Sequence, residues 1–238
     1  MKRFAWAACA GVIACHDATT ATRSPSDLLI AEHAEAPIEG DDSPLVALAG
    51  ERVTVDGEPA GDVSDARRVH RMERLDALFE KLRDKRQAWQ MSHPGAALPG
   101  LVRFHFPPSA TKIVVMSVVQ TTAFAAYPFG SYEVRGADGK PARLALDAMV
   151  PKLSEPEPDL EVRVFSDHVA LVWRDGKTAQ TSIDALASAL AGAPKEQRAQ
   201  HAAFLYFEPD ATFETMVHVA DAVAGTGAFA LFLTTANP

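Results

Sequence analysis

Apolar positions along this chain change period several times, and each change predicts an element. The clearest stretch is the last arm, residues 203–235, AFLYFEPDATFETMVHVADAVAGTGAFALFLTT. It opens as an apolar strand and turns. Phe213, Met216, Val217, Ala220, Val223 and Ala224 then follow the i, i+3, i+4, i+7 spacing of one helical face. Glu214 lies in the first turn of that helix, where a negative charge suits the helix dipole. Gly225 and Gly227 provide a C-terminal stop, and residues 228–234 read as a buried strand. The arm is a compact β–α–β unit.

Upstream of it, Leu160 to Phe165 alternates apolar and charged residues, as a strand with one wet face does. Val169 to Trp173 is a second strand, and Asp175-Gly176 makes a tight turn. Thr181 or Ser182 can cap a helix whose inner face is Ile183, Leu186 and Leu190.

The first half has a similar order. Val46 to Val55 gives two apolar runs around Gly50, followed by the turn pair Asp56-Gly57; this predicts a hairpin or a bulged strand. Asp65 is positioned to cap one long helix with Val69, Met72, Leu75, Leu78, Phe79, Leu82 and Trp89 along a single stripe. Leu101 to Phe106 reads as a half-buried strand, and Lys112 to Ala125 as a helix with Val115, Met116 and Val119 inward. Its β-branched residues have low helix propensity, so tertiary packing must hold it. Tyr127-Pro128 stops it, Ser131 to Arg135 is the next strand, and Arg143 to Leu146 pairs back across the Gly136–Gly139 turn.

The halves align as diverged copies. Phe106 to Thr111 falls on Phe207 to Thr212 at an offset of 101 (207 − 106), and Val118 then meets Val219 without a gap. Asp56-Gly57 falls on Asp175-Gly176 at an offset of 119 (175 − 56), which gives the first copy a longer helix.

Composition adds delivery and compartment. Lys2 and Arg3 precede an apolar stretch, Phe4 to Ala14, far shorter than the roughly 20 residues of a membrane span. Val12-Ile13-Ala14-Cys15 resembles a bacterial lipobox, in which Cys15 would be lipidated and become the mature N-terminus; a plain secretory signal cut nearby is the other reading. The two cysteines are Cys9 and Cys15, so after Cys15 no thiol remains for a disulfide or a thiol enzyme. A net charge of −8 speaks against nucleic acid, whose phosphates require clustered Lys/Arg.

The expected organisation is therefore a signal at 1–15, a flexible tether at 16–43 and a first module at 44–149. A Pro/acid-rich linker at 150–159 and a second module at 160–236 follow. The fold class is α+β, two tandem modules each with a small mixed sheet and two helices.

From Leu160 onward the order of elements resembles the periplasmic domain of the ExbD/TolR biopolymer-transport family. That family has two strands around an Asp-Gly turn, a short helix, then strand, helix and closing strand. Its acidic residue before the last helix falls on Glu208, its helix start on Thr212-Phe213-Glu214-Thr215, and its closing strand on Phe229 to Thr234. The family also carries a transmembrane helix with a proton-coupling aspartate, which this sequence lacks. The resemblance implies a docking module without the motor.

Chemistry is sparse. No His is set in an HExxH-type pattern, and no Gly-x-Ser-x-Gly elbow or Walker loop occurs. His33 among Glu32, Glu35, Asp41 and Asp42 makes a poor metal site on a loose segment. Gly225-Thr226-Gly227 sits after a helix and before a strand, the reverse of a dinucleotide fingerprint. No catalytic residue, metal or cofactor is assigned.

The expectation is a lipid-anchored, non-catalytic envelope binding or scaffold protein facing the periplasm, the outer membrane preferred over the inner. Its partners would be envelope proteins or peptidoglycan, with a homo-oligomer left open. Glu208, Asp210 and Glu214 are the candidate partner-binding residues, and an enzyme or ligand-binding lipoprotein with a cleft between the modules is the alternative.

Overall fold

Two three-stranded meanders start the two halves of the chain. In the computed structural model, which describes residues 28–37, 42–96, 100–148, 158–194, 202–227 and 230–238, the first comprises β1 (Leu45–Ala49), β2 (Arg52–Val55) and β3 (Glu58–Asp62). Helices α1 (Ser64–Val69) and α2 (Asp76–Ser92) follow, then β4 (Leu101–His105), α3 (Lys112–Phe124), β5 (Phe129–Arg135), β6 (Pro141–Ala145) and the short β7 (Asp147–Ala148). The second half has β8 (Leu160–Val164), β9 (Val169–Trp173), β10 (Thr178–Thr181), α4 (Leu186–Gly192), β11 (Ala202–Phe207), α5 (Phe213–Ala224) and β12 (Ala230–Leu233).

The chain is α+β, with two mixed sheets ordered β3-β2-β1-β4-β5-β6 and β10-β9-β8-β11-β12-β7. In each, the meander strands run antiparallel and the three central strands parallel. Strands β4, β8 and β9 alternate buried and partly exposed positions, so one face of each carries the core, whereas the central β11 is buried on both faces from Ala202 to Leu205.

Strand register repeats between the two halves, but the hairpins align at an offset of 116 and not the 119 expected from the Asp-Gly pairs, because the second turn lies three residues farther along its strand. Phe104 pairs with Tyr132 between β4 and β5, and Leu205 pairs with Leu233 between β11 and β12, an offset of 101 on both strands. In the hairpins Val46 pairs with Val55 and Val162 with Leu171, an offset of 116 on both strands. The fall from 116 to 101 leaves 15 extra residues in the first copy, where α1 and the long α2 lie.

Asp56-Gly57 and Asp175-Gly176 occupy the equivalent β2–β3 and β9–β10 turns, with Gly57 at φ +84° and Gly176 at φ +81°, a region glycine enters freely. The strands after these turns were not expected. β3 reads EPAGD and β10 reads TAQT, and neither carries the apolar alternation that marks a strand, because each lies at a sheet edge.

The long helix expected from Asp65 is interrupted. Val63, not Asp65, sits at the N-cap of α1, and His70 ends it in the left-handed region at φ +51°. Two α3 hydroxyls hold the break open: Ser117 Oγ accepts from Glu73 N (3.0 Å) and Thr121 Oγ1 from Leu75 N (3.0 Å). The apolar stripe continues through the interruption, so periodicity alone could not show it.

Helix α3 is buried on every side and not only at Val115, Met116 and Val119. It lies among α1, α2, α5 and β7, which supplies the packing its β-branched sequence needs. Helix α4 starts later than expected, at Leu186, with Ser182 Oγ accepting from Ala185 N.

Two boundaries change. The linker's residues 150–157 lie outside the described residues, but β7 pairs in parallel with β12, so the first half lends the second sheet its edge strand. Part of the expected flexible tether is also docked. Arg135 exchanges backbone hydrogen bonds with Leu29 and Ala31, Arg143 does so with Glu35, and Ala31 is fully buried. The stretch has no hydrophobic period, and a backbone-mediated contact leaves none.

The duplicate supplies an internal control for capping. Thr212 Oγ1 accepts from Thr215 N at the start of α5 (3.2 Å), whereas its counterpart Thr111 makes no side-chain cap bond at α3. Thr212→Ala should therefore cost about 1 kcal/mol in urea unfolding, and Thr111→Ala only a few tenths.

Candidate docking surface at the module junction

The strand-to-helix corner of each module, Phe106–Ile113 and Phe207–Glu214, meets the other. Thr111 and Thr212, residues equivalent under the 101 offset, form an antiparallel bridge. Lys112 N donates to Ala211 O (2.8 Å) and Phe213 N donates to Ala110 O (2.7 Å). One residue on, Ile113 N donates to Pro209 O (3.4 Å) and Glu214 N to Pro108 O (3.0 Å). Every bond in one direction has its mirror at an offset of 101. That reciprocity is the signature of a two-fold, isologous contact, here made within one chain.

The backbone is symmetric and the side chains are not. Phe213, 2% exposed, crosses into the first module with its ring 5.4 Å from Phe106 and 5.8 Å from Tyr132, centroid to centroid. Its counterpart Lys112, also 2% exposed, crosses the other way. Its Nζ donates to Phe207 O (2.7 Å), Ala236 O (2.7 Å) and Asn237 Oδ1 (3.3 Å). All three acceptors are neutral, and burial lowers the ammonium pKa to about 8. The C-terminal tail is thereby tied to the start of α3.

The three acidic residues singled out from the sequence stand at this corner, but their carboxylates do not converge on one another. Asp210 is exposed and lies 3.3 Å from His70 Nε2, at the αL end of α1. Glu208 is half-buried and Glu214 exposed. Among the described residues Asp210 alone of the three has a Lys, Arg or His nitrogen within 4.0 Å, that of His70. At Glu208 and Glu214 the backbone does the bonding: Glu208 O accepts from Ala211 N, and Glu214 N reaches Pro108 O.

Sequence reasoning passed over Lys112 and Asp221. A lysine in the slot that holds Phe213 in the repeat was the available signal for the first. The Asp221 carboxylate, 15% exposed, accepts from Glu32 N (3.0 Å) and His33 N (2.7 Å). Nothing in its local sequence marks it, since its partners lie 188 and 189 positions away. The His33 ring turns toward α5, with Nδ1 3.4 Å from Asp221 Oδ1.

The outer face of the first sheet carries Arg103, His105 and Glu133, with His105 Nδ1 3.2 Å from Glu133 Oε2 and Arg103 Nη1 4.0 Å from Oε1. The 101-related residues are Phe204, Tyr206 and Thr234, so the fold itself does not require this charge group.

Among the described residues no group of three or more His, Cys, Asp or Glu is placed to hold a metal ion. No described helix is long and apolar enough to cross a membrane. Cys15 lies outside the described residues. Compared with known proteins, the chain matches no family model and no curated sequence.

Proposed function

We propose that this chain is a lipid-anchored binding or scaffold protein of the bacterial envelope, built from two modules like the periplasmic domains of ExbD/TolR proteins. It docks to envelope proteins or peptidoglycan and catalyses no reaction. The observation that carries this reading is the reciprocal junction at 108–113 and 209–214. At this corner paired backbone, the Phe213 ring and the Lys112 side chain join the modules, which favours a docking role over the cleft alternative.

Edge strands add support. β3 carries Pro59 between Glu58 and Asp62 and lies against α2, which blunts it as a template for another strand. Its counterpart β10 has no proline or charge within it, and Thr178, Ala179 and Gln180 face solvent. An edge of that kind can receive an extended partner segment.

The test is affinity recovery of the full chain from a bacterial envelope, with Cys15→Ser as the second arm. The wild type should fractionate with membrane and bring down an envelope protein or peptidoglycan, while Cys15→Ser should be soluble. Recovery of neither partner would remove the scaffold reading. Unchanged membrane fractionation of the variant would remove the lipid anchor.

A further inference from the structure

We infer that residues 29–36 are a releasable strap, which closes the free edge of the first sheet and staples the second module's α5 onto it. β6 ends its sheet, so its outward backbone groups need partners. Glu35 supplies them at Arg143 in both directions, 2.8 Å each way, and the Glu35 carboxylate pairs with the Arg143 guanidinium. Six and four residues earlier, Leu29 and Ala31 do the same for Arg135 at the end of β5, also at 2.8 Å. The strap therefore grips the first module through four backbone hydrogen bonds.

Its hold on the second module is of another kind. The chain turns at 32–33, and the consecutive amides of Glu32 and His33 both point at the Asp221 carboxylate. The His33 ring then lies over Gly225 at the end of α5. A Cβ at Gly225 would stand 2.7 Å from His33 Cε1 and 2.8 Å from Nε2. Gly225 has φ −60°, so its backbone does not call for glycine; the ring above it does. One carboxylate and one missing side chain thus form a seat for the strap on α5. With the Thr111–Thr212 bridge at its other end, α5 is fastened to the first module at both termini.

This asymmetry makes the strap a two-state element. Losing the Asp221 contacts frees the C-terminal end of α5 without breaking either sheet, leaves its start held only by the Thr111–Thr212 corner, and removes the strap's anchor on the second module. The opened form bares the outward backbone N–H and C=O of Arg143.

Hydrogen exchange on the full chain tests this with two variants, Asp221→Ala and Gly225→Ala, one removing the acceptor and the other filling the seat. Both should speed exchange at least ~10-fold at Glu32 and His33, at Ala31, Glu35 and Arg143 along the edge, and at Lys112 and Phe213 in the junction. Amides within β1 and β4 should keep their protection. Acceleration confined to Glu32 and His33 would make the strap a fixed part of the first module and overturn the staple. No acceleration, or global unfolding of both variants, would overturn release.

Discussion

Phe213→Ala should destabilise the protein by about 3–5 kcal/mol, read as a lower urea midpoint, because it empties a fully packed aromatic site. The ring is 2% exposed and touches Phe106 and Tyr132, both of the other module. The loss should therefore be shared across the junction. In a double-mutant cycle with Tyr132→Ala the coupling should reach at least about 0.5 kcal/mol, as expected for contacting aromatic side chains. Additive single effects would show that Phe213 serves only its own helix. The junction would then rest on the reciprocal backbone bonds at 108–113 and 209–214 and on the Lys112 side chain.

The second large effect is on pH dependence and rests on Lys112. Burial among neutral acceptors brings its pKa from 10.5 to about 8 in the native state. Between pH 8 and about 10 the unfolded chain holds this proton and the native chain releases it, so stability rises with pH across that window. Below pH 8 both states are protonated, and the native state bears the full cost of the buried charge. The shift corresponds to at most about 3 kcal/mol, less where water screens the ammonium. Tyr127 works in the other sense at higher pH, since burial raises its phenol pKa and holds the proton in the native state. Lys112→Met should flatten the rise between pH 8 and 10 in urea unfolding, while removing the Nζ bond to Phe207 O and leaving Ala236 O only the longer one from Thr234 Oγ1. A slope unchanged by the substitution would assign the effect to another group.

These two side chains occupy one slot in two copies of the same corner, and their difference suits a protein whose halves have become specialised. An exchange of identical residues across a true dimer axis would bury two lysines or two phenylalanines. Fusion of the copies lets one side use an apolar anchor and the other a polar latch that also holds the C-terminal tail.

Much of the fold was legible because it depends on local period. The α5 stripe, the β8 alternation and the two Asp-Gly turns appear where spacing and turn chemistry placed them. The offset of 101 was readable as letters and proves to be the register of β4–β5 against β11–β12. Edge strands β3 and β10 were not legible, since a strand with one neighbour and little burial leaves no apolar alternation. The break between α1 and α2 was hidden for the opposite reason: the stripe continues, and hydroxyls of a distant helix hold the interruption. Of the candidate site, Glu208, Asp210 and Glu214 were correctly seen to share a corner, but not that their backbones would do the joining.

What the sequence determined by itself is the apolar strands and helical stripes, their order and their repetition at an offset of 101, because hydrophobic period and turn residues act over a few positions. What only the tertiary structure decided is how the copies face each other. The Thr111–Thr212 bridge, the exchange of Phe213 for Lys112, the loan of β7 and the seating of residues 29–36 on Asp221 join residues about 85 to 190 positions apart. A backbone group is a partner in the bridge, the β7 pairing and the Asp221 seat, and backbone atoms are the same in every residue, so the letters alone do not record them.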